Sequence, residues 1–304
     1  MNKSRIGWCT HTWNPTSGCT KVSDGCLNCY AERYANRFWG IRPFSHVRFH
    51  IDKLGEPIKS KKRKLVFVCA MSDLFHDDIP DSFIGHVFAT MSMANHKFII
   101  LTKRPKRMHD LLSNPDNLEE LTKINHLNGV YWDRTKWPLD NVWMGVSVEN
   151  QKTADERIPL LLRTPAEKRI VSFEPALGPV NFTQWIRPRS FDQLIELDKR
   201  NPELAQSSKE VFSCTERTID LNGKPYTGKF LDPVKLDWII MGGESGSEER
   251  PMHPDWARSV RDQCLAADVP FFFKQWGAIK KAEKDETALL DGVEHKEYPK
   301  GYVK

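Results

Sequence analysis

A short, nearly unbroken apolar run followed by an amphipathic helical stretch recurs along this chain, and that alternation constrains the fold more than any other feature. Leu65–Met71 precedes a helical pattern over about 81–95, Phe98–Leu101 one over about 105–113, and Val142–Val146 one over about 151–163. Ile170–Phe173 follows; Trp238–Met241 then leads into a helical pattern over about 254–267, and Val269–Phe273 is the last run. With a strand near Trp8–Trp13 and a helix near Tyr30–Trp39, the chain supplies about seven strands. Strands apolar on both faces belong to a parallel sheet covered on both sides, its strands joined by right-handed helical crossovers.

An open doubly wound sheet and a barrel both satisfy that pattern. The ends of the apolar runs favour a barrel or partial barrel, because each run stops at a reactive or charged side chain. Met71-Ser72-Asp73, Thr102-Lys103-Arg104, Ser147-Val148-Glu149, Phe173-Glu174-Pro175, Gly242-Gly243-Glu244 and Phe273-Lys274-Gln275 are those ends. Side chains at the carboxyl ends of parallel strands converge on one face, where barrel enzymes place their chemistry. Taken singly, a polar residue at a strand end is unremarkable. Four acids and two lysines at equivalent ends predict a shared polar pocket of Asp73, Lys103, Glu149, Glu174, Glu244 and Lys274.

The fold expected is therefore α/β, a partial barrel of about six to seven parallel strands occupying residues 1–280. Polar, turn-rich insertions interrupt it at about 114–141 and 184–235, and a charged tail covers 281–304. The second insertion reads as a small hairpin excursion or a substrate-binding flap. No run approaches the roughly 20 apolar residues of a membrane span, and Met1–Trp8 lacks the apolar core of a signal peptide, so the expectation is a soluble cytoplasmic protein. The net charge of +5, from 45 basic and 40 acidic residues, permits a nucleic-acid partner without requiring one. Lys59–Lys64 and Lys103–Arg107 are the two basic stretches, each readable as a solvated element start or as a phosphate contact.

Three of the seven cysteines, Cys19, Cys26 and Cys29, fall within eleven residues between the first strand and the first helix. An odd cysteine count with this crowding fits metal binding better than a disulfide framework. Pro15, Gly18 and Gly25 keep the segment a loop, and Cys26-x-x-Cys29 brings two thiols to the first helical turn. Three thiolates can hold a [4Fe–4S] cluster and leave one iron open for catalysis. The competing reading is a closed zinc site with Cys9 or His11 as fourth ligand, although the partner Cys-x-x-Cys or His-x3-His of a zinc ribbon or finger is missing.

The loop resembles that of the radical S-adenosylmethionine superfamily. Together with Trp13-Asn14-Pro15, Leu101–Pro105, Gly145–Glu149, Phe173–Pro179 and Gly242–Gly246, it resembles the phage-associated three-cysteine-motif proteins over nearly the whole chain and, more remotely, spore photoproduct lyase. The resemblance implies a TIM-like barrel, a [4Fe–4S] cluster on Cys19, Cys26 and Cys29, S-adenosylmethionine as cofactor and an external electron donor. The spacing here is Cys-x6-Cys-x2-Cys, against the superfamily's usual Cys-x3-Cys-x2-Cys. The Gly-Gly-Glu that cradles the cofactor amine normally follows the second strand; Met71, Ser72 and Asp73 hold that position here, whereas Gly242-Gly243-Glu244 comes near the sixth.

Two functional classes follow. In the first, Met71, Ser72, Asp73, Lys103, Glu149 and Glu244 orient the cofactor, and Lys103, Glu149 and Glu174 serve the reaction, with a nucleobase or nucleic acid as the first guess for substrate. Lys103 pairs with the cofactor carboxylate or with a neighbouring strand-end acid. In the second, a zinc- or cluster-stabilised protein binds nucleic acid without turnover through Lys103, Arg104, Lys106 and Arg107. His76 reads as an exposed polar loop residue before it reads as an acid or base, and Tyr30 and Tyr34 as packing against the barrel. Trp276 reads as a core seal before a base-stacking ring. Cys69 and Cys264 are expected in the core, and Cys214 in the second insertion has no assignment.

Overall fold

The structure is a computed structural model, and it describes residues 1–126, 136–186, 214–221, 224–231, 234–277 and 288–302. The Asn128-Gly129 turn, the Asp198-Lys199-Arg200 stretch and the charged run Lys280–Glu286 lie outside the described residues.

Eight strands form one sheet: β1 (Asn2–Lys3), β2 (His11–Trp13), β3 (Leu65–Val68), β4 (Lys97–Thr102), β5 (Val142–Val148), β6 (Lys168–Phe173), β7 (Trp238–Gly242) and β8 (Phe271–Gln275). Their spatial order is their chain order, and every pair from β2 to β8 is parallel; only β1 runs antiparallel, on the edge beside β2. A doubly wound sheet reverses its strand order at a switch point, and this one does not. Successive crossovers in one direction set the helices on one side, so the other face can be covered only by curling. The curl is visible in contacts between the two edges. Gly7, in the β1–β2 connection, lies against the Phe272 ring of β8, and the Tyr298 hydroxyl donates to Gly7 O at 3.4 Å. The result is a curled half-barrel with an antiparallel strand at one edge.

The longer helices are α1 (Tyr30–Phe38), α2 (Asp81–Met93), α3 (Pro105–Ser113), α4 (Pro115–His126), α5 (Gln151–Arg163) and α6 (Pro254–Ala266), beside single turns at Glu56–Lys59 and Thr183–Ile186. Several begin at recognisable start signals: Pro105 and Pro254 lie at first helical positions, where no amide hydrogen is missed, and Asn150 forms a capping box with Thr153. Alternation along the strands then builds two cores. Outward residues such as Val66, Ile100, Met144, Val171 and Met241 join the helices in the larger one. Inward residues Leu65, Phe67, Ile99, Trp143, Ile170, Trp238, Ile240 and Phe272 fill the half-barrel.

Part of the first insertion is α4, with Leu118 and Leu121 buried in the outer core. The second contains an antiparallel hairpin, Cys214–Leu221 with Lys224–Leu231. The chain from 288 to 302 returns to the barrel: Phe273 N donates to His295 O, Trp238 Nε1 donates to Glu297 O, and Tyr298 and Tyr302 stack over the inner cluster. Of the expected charged tail, the described residues 288–302 are therefore packed on the barrel. Cys69 and Cys264 are buried, as expected of small apolar side chains. Among the described residues no helix is long and apolar enough to cross a membrane.

Candidate functional site

Going up the half-barrel, the inward positions change chemistry. On β5, Trp143 is followed on the same face by Gly145, Ser147 and Glu149; on β6, Ile170 by Ser172 and Glu174; on β8, Phe272 by Lys274. The amino end is packed with aromatic rings and the carboxyl end is polar. Gly145 is required by close approach, since a Cβ there would lie 2.6 Å from Leu101 Cδ2 and 2.7 Å from Ile170 O. Across the mouth Lys274 pairs with Glu174, bridging β8 and β6.

The cysteine loop, residues 14–29, lies over this polar end and is tied to four strand ends. From β3, Met71 N donates to Asn14 Oδ1, Gly18 N donates to Met71 O at 3.0 Å, and Ser72 shares hydroxyl hydrogen bonding with Thr16 at 2.6 Å. Gly18 has φ +98°, and a Cβ there would sit 2.4 Å from His46 O. From β4, Arg104 donates to Thr20 O and Oγ1 and reaches Cys19 Sγ at 3.5 Å. From β5, Glu149 Oε1 accepts from Ser23 Oγ at 2.9 Å, with Gly25 stacked directly on its methylene. From β7, Glu244 accepts from Asn28 Nδ2 at 3.0 Å, and Arg250, bound to the same carboxylate, donates onward to Asp24 O.

The strand-end groups expected to form a pocket are thus brought together, each with definite partners. Asp73 accepts from Thr102 Oγ1 at 2.7 Å and from the amides of Phe75 and Lys103, locking the ends of β3 and β4 to each other. Lys103 pairs with Glu149 at 2.8 Å, the neighbouring strand-end acid rather than open solvent. Glu149 is fully buried and also accepts from Arg157 at 3.1 Å, while its second oxygen, Oε2, has no partner among the described residues. Burial works to raise its pKa, yet Lys103 and Arg157 outweigh that and hold it below the ordinary carboxylate value. Glu244 is driven down to about 2 against its burial, chiefly by the Arg250 and Asn28 hydrogen bonds.

Cys19, Cys26 and Cys29 are free thiols at the same end of the barrel. Cys19 and Cys29 pack on one apolar patch of Ala31, Ala35 and Phe44, together with Met71. Burial and the Asp73 carboxylate push the Cys19 thiol up to about 11, and the adjacent Arg104 guanidinium opposes them. Among the described residues no three His, Cys, Asp or Glu side chains are grouped to hold a single metal ion. The donor chemistry nonetheless suits an iron–sulfur cluster: three soft ligands on one loop, an apolar bed beneath two of them, and a cation beside the first.

Two expectations are corrected. His76 is not an exposed loop residue: it is 3% exposed, its Nδ1 accepts from Asp78 N, and Nε2 therefore carries the hydrogen toward Thr20 Oγ1 at 2.8 Å. Local pattern carries no sign of this, because Thr20 is 56 residues away. Tyr30 meets the barrel only in part, its ring about half exposed and its hydroxyl turned inward to donate to Ala70 O at 2.5 Å, and Tyr34, also about half exposed, lies against Phe38 of its own helix rather than the barrel. Trp276 does seal the core edge, packing on Phe273 and donating to Leu289 O. Ser23, Asn28, Arg157 and Arg250 are the anchoring residues that sequence reading missed. Nothing in their local pattern distinguishes them from solvated polar residues.

The basic stretches are placed apart. Lys59–Lys64 leads into the amino end of β3, at the opposite end from the cysteine loop. In Lys103–Arg107 all four cations are engaged, with Glu149, Asp73, Asp110 and Asp81 respectively. No curated protein and no solved structure gives a significant match to the chain. One family does, over residues 3–299, a span that takes in the whole half-barrel and its cysteine loop: the chain belongs to the protein family of unknown function DUF5131.

Proposed function

We propose that this protein is a radical S-adenosylmethionine enzyme, with a [4Fe–4S] cluster on Cys19, Cys26 and Cys29 and an external electron donor. The observation that carries this reading is the convergence of four strand ends on the loop bearing the three thiols, which fixes that loop over the polar mouth of a half-barrel. When bound, the cluster and S-adenosylmethionine together supply one-electron reductive cleavage of a carbon–sulfur bond.

The protein's own residues supply position and exclusion. Glu149 and Glu244 act as positioning residues: each spends its charge on a cation and a loop donor, so neither needs to touch substrate. Lys103 holds Glu149 in its charged form, and Asp73 sets the β3–β4 ends on which Met71 and Ser72 meet the loop. Arg104 favours the thiolate of Cys19, the ligating form. Glu174 and Lys274, a partly exposed pair on the mouth's inner wall, are the charged groups best placed to meet a reactant. The buried aromatic packing below keeps water from the amino end of the half-barrel.

The alternative of a non-catalytic nucleic-acid binder using Lys103, Arg104, Lys106 and Arg107 is disfavoured, because each cation already pairs with an acid. The test is anaerobic purification with metal analysis and a 5′-deoxyadenosine assay under reducing conditions. A brown protein with about four irons per chain is expected, lost on replacing Cys19, Cys26 or Cys29 with Ala. A colourless preparation with stoichiometric zinc would refute the proposal.

A further inference from the structure

The exposed face of α1 carries an aromatic ladder anchored to the fold through the hydroxyl of its first ring, Tyr30, while the rings of Tyr34 and Phe38 lie outside the buried clusters. Tyr30, Tyr34 and Phe38 recur every four residues and are 50%, 53% and 58% exposed, while Ala31 and Ala35 on the adjoining face are buried. The rings are ordered relative to one another: Tyr34 and Phe38 lie 4.6 Å apart between centroids, and the Arg37 guanidinium sits over Phe38 at 5.2 Å. Leu27, on the cysteine loop three residues before Tyr30, is likewise 54% exposed. Contiguous exposed rings of this kind mark an interaction surface.

The chemistry around the ladder selects the partner. From Lys21 to Lys53 basic residues outnumber acidic ones six to three, and among the described residues Arg37 has no acidic partner. Arg33 is turned to Ser245 O and Lys21 pairs with Glu32, but Arg37 stands over the Phe38 ring, and exposed aromatic faces beside such a cation match the requirements of a single strand of nucleic acid, whose unpaired bases stack and whose phosphates need cations. A duplex hides those bases. The two helical turns from Tyr30 to Phe38 span roughly 12 Å, enough for a few bases at about 3.4 Å each. The ladder also has direction: Tyr30 follows Cys29 directly, and its hydroxyl bonds to Ala70 at the end of β3, so the first ring stands at the mouth.

We propose that the exposed face of α1 binds single-stranded nucleic acid and leads it to the mouth of the half-barrel. This deepens the reading of the mouth as a reaction site and rests on it only for where the strand leads; binding itself is independent of turnover.

The experiment uses the full-length protein purified without oxygen and a fluorescein-labelled single strand of about 12 thymidylates, followed by anisotropy, with the matching duplex as control. Single-strand binding stronger than duplex binding and weakening with salt is expected. Tyr34→Ala combined with Phe38→Ala should weaken it about tenfold or more, while Tyr34→Phe keeps it. Iron content measured on the same variants should stay at the wild-type level. Equal affinity in the double alanine variant overturns the proposal. So does a wild type that binds no oligonucleotide; if that protein still holds iron and forms 5′-deoxyadenosine, the proposed function survives and this inference alone fails. A wild-type dimer in sedimentation that the double variant dissociates would reassign the face to self-association.

Discussion

Replacing Glu149 with Gln perturbs the group on which the loop, β4 and α5 all depend. The carboxylate is fully buried, and one oxygen collects Lys103 at 2.8 Å, Arg157 at 3.1 Å and Ser23 at 2.9 Å. The amide keeps the shape and removes the charge, leaving Arg157, 6% exposed, and Lys103, 17% exposed, as uncompensated cations. Removing one partner of a buried ion pair costs about 3–5 kcal/mol. That is a large share of the roughly 5–15 kcal/mol that holds a domain together. Against it, the amide oxygen of the substituted side chain could still accept from Ser23, so the loop anchor weakens less than the ion pairs. The assay is urea unfolding of Glu149→Gln, Lys103→Met and the double variant. Because the double variant removes the stranded ammonium as well as the carboxylate, it should recover part of the loss, giving a coupling of roughly 1–3 kcal/mol. A Glu149→Gln protein within about 0.5 kcal/mol of wild type, or strict additivity of the two changes, would refute the reasoning.

Two further outcomes follow from the loop anchors. Glu244 titrates near 2 when folded and 4.5 when free, so it contributes stability above pH 4.5 that is lost as the pH falls toward 2; Arg250→Gln should flatten that acid limb of a stability-against-pH curve, and an unchanged limb would dismiss the assignment. Gly25→Ala would place a methyl 2.4 Å from Glu149 Cγ, a side chain pinned by its ion pairs, so a loss of about 1–3 kcal/mol is expected in denaturant unfolding together with reduced iron content; a neutral substitution would show that the loop is not seated as described.

Much of the frame was legible because it is written in local periodicity. The apolar runs and helical patterns placed β3 to β8 and α1 to α3, α5 and α6 within a few residues, since hydrophobic spacing reports directly on which face of an element is buried. The gathering of Asp73, Lys103, Glu149, Glu174 and Glu244 at one end was also readable, because parallel strands carry their carboxyl ends to a common face. The segment 114–126 was less so, because its polar, turn-rich spacing resembles a loop.

The sequence by itself thus determined a parallel α/β sheet, its charged strand ends favouring a partial barrel, and a three-cysteine loop between the first strand and the first helix, whereas the sequential strand order came from the tertiary structure. Tertiary structure alone decided who pairs with whom. Ser23 meets Glu149 across 126 residues and Asn28 meets Glu244 across 216, separations at which no local pattern carries information. It buried His76 against the loop, returned residues 288–302 to the amino ends of the strands, and left the rings of Tyr34 and Phe38 outside. The physical reason is common to all of these. Periodicity fixes which face of an element leaves water, whereas the partner it finds there depends on how the sheet curls and which strand ends arrive together.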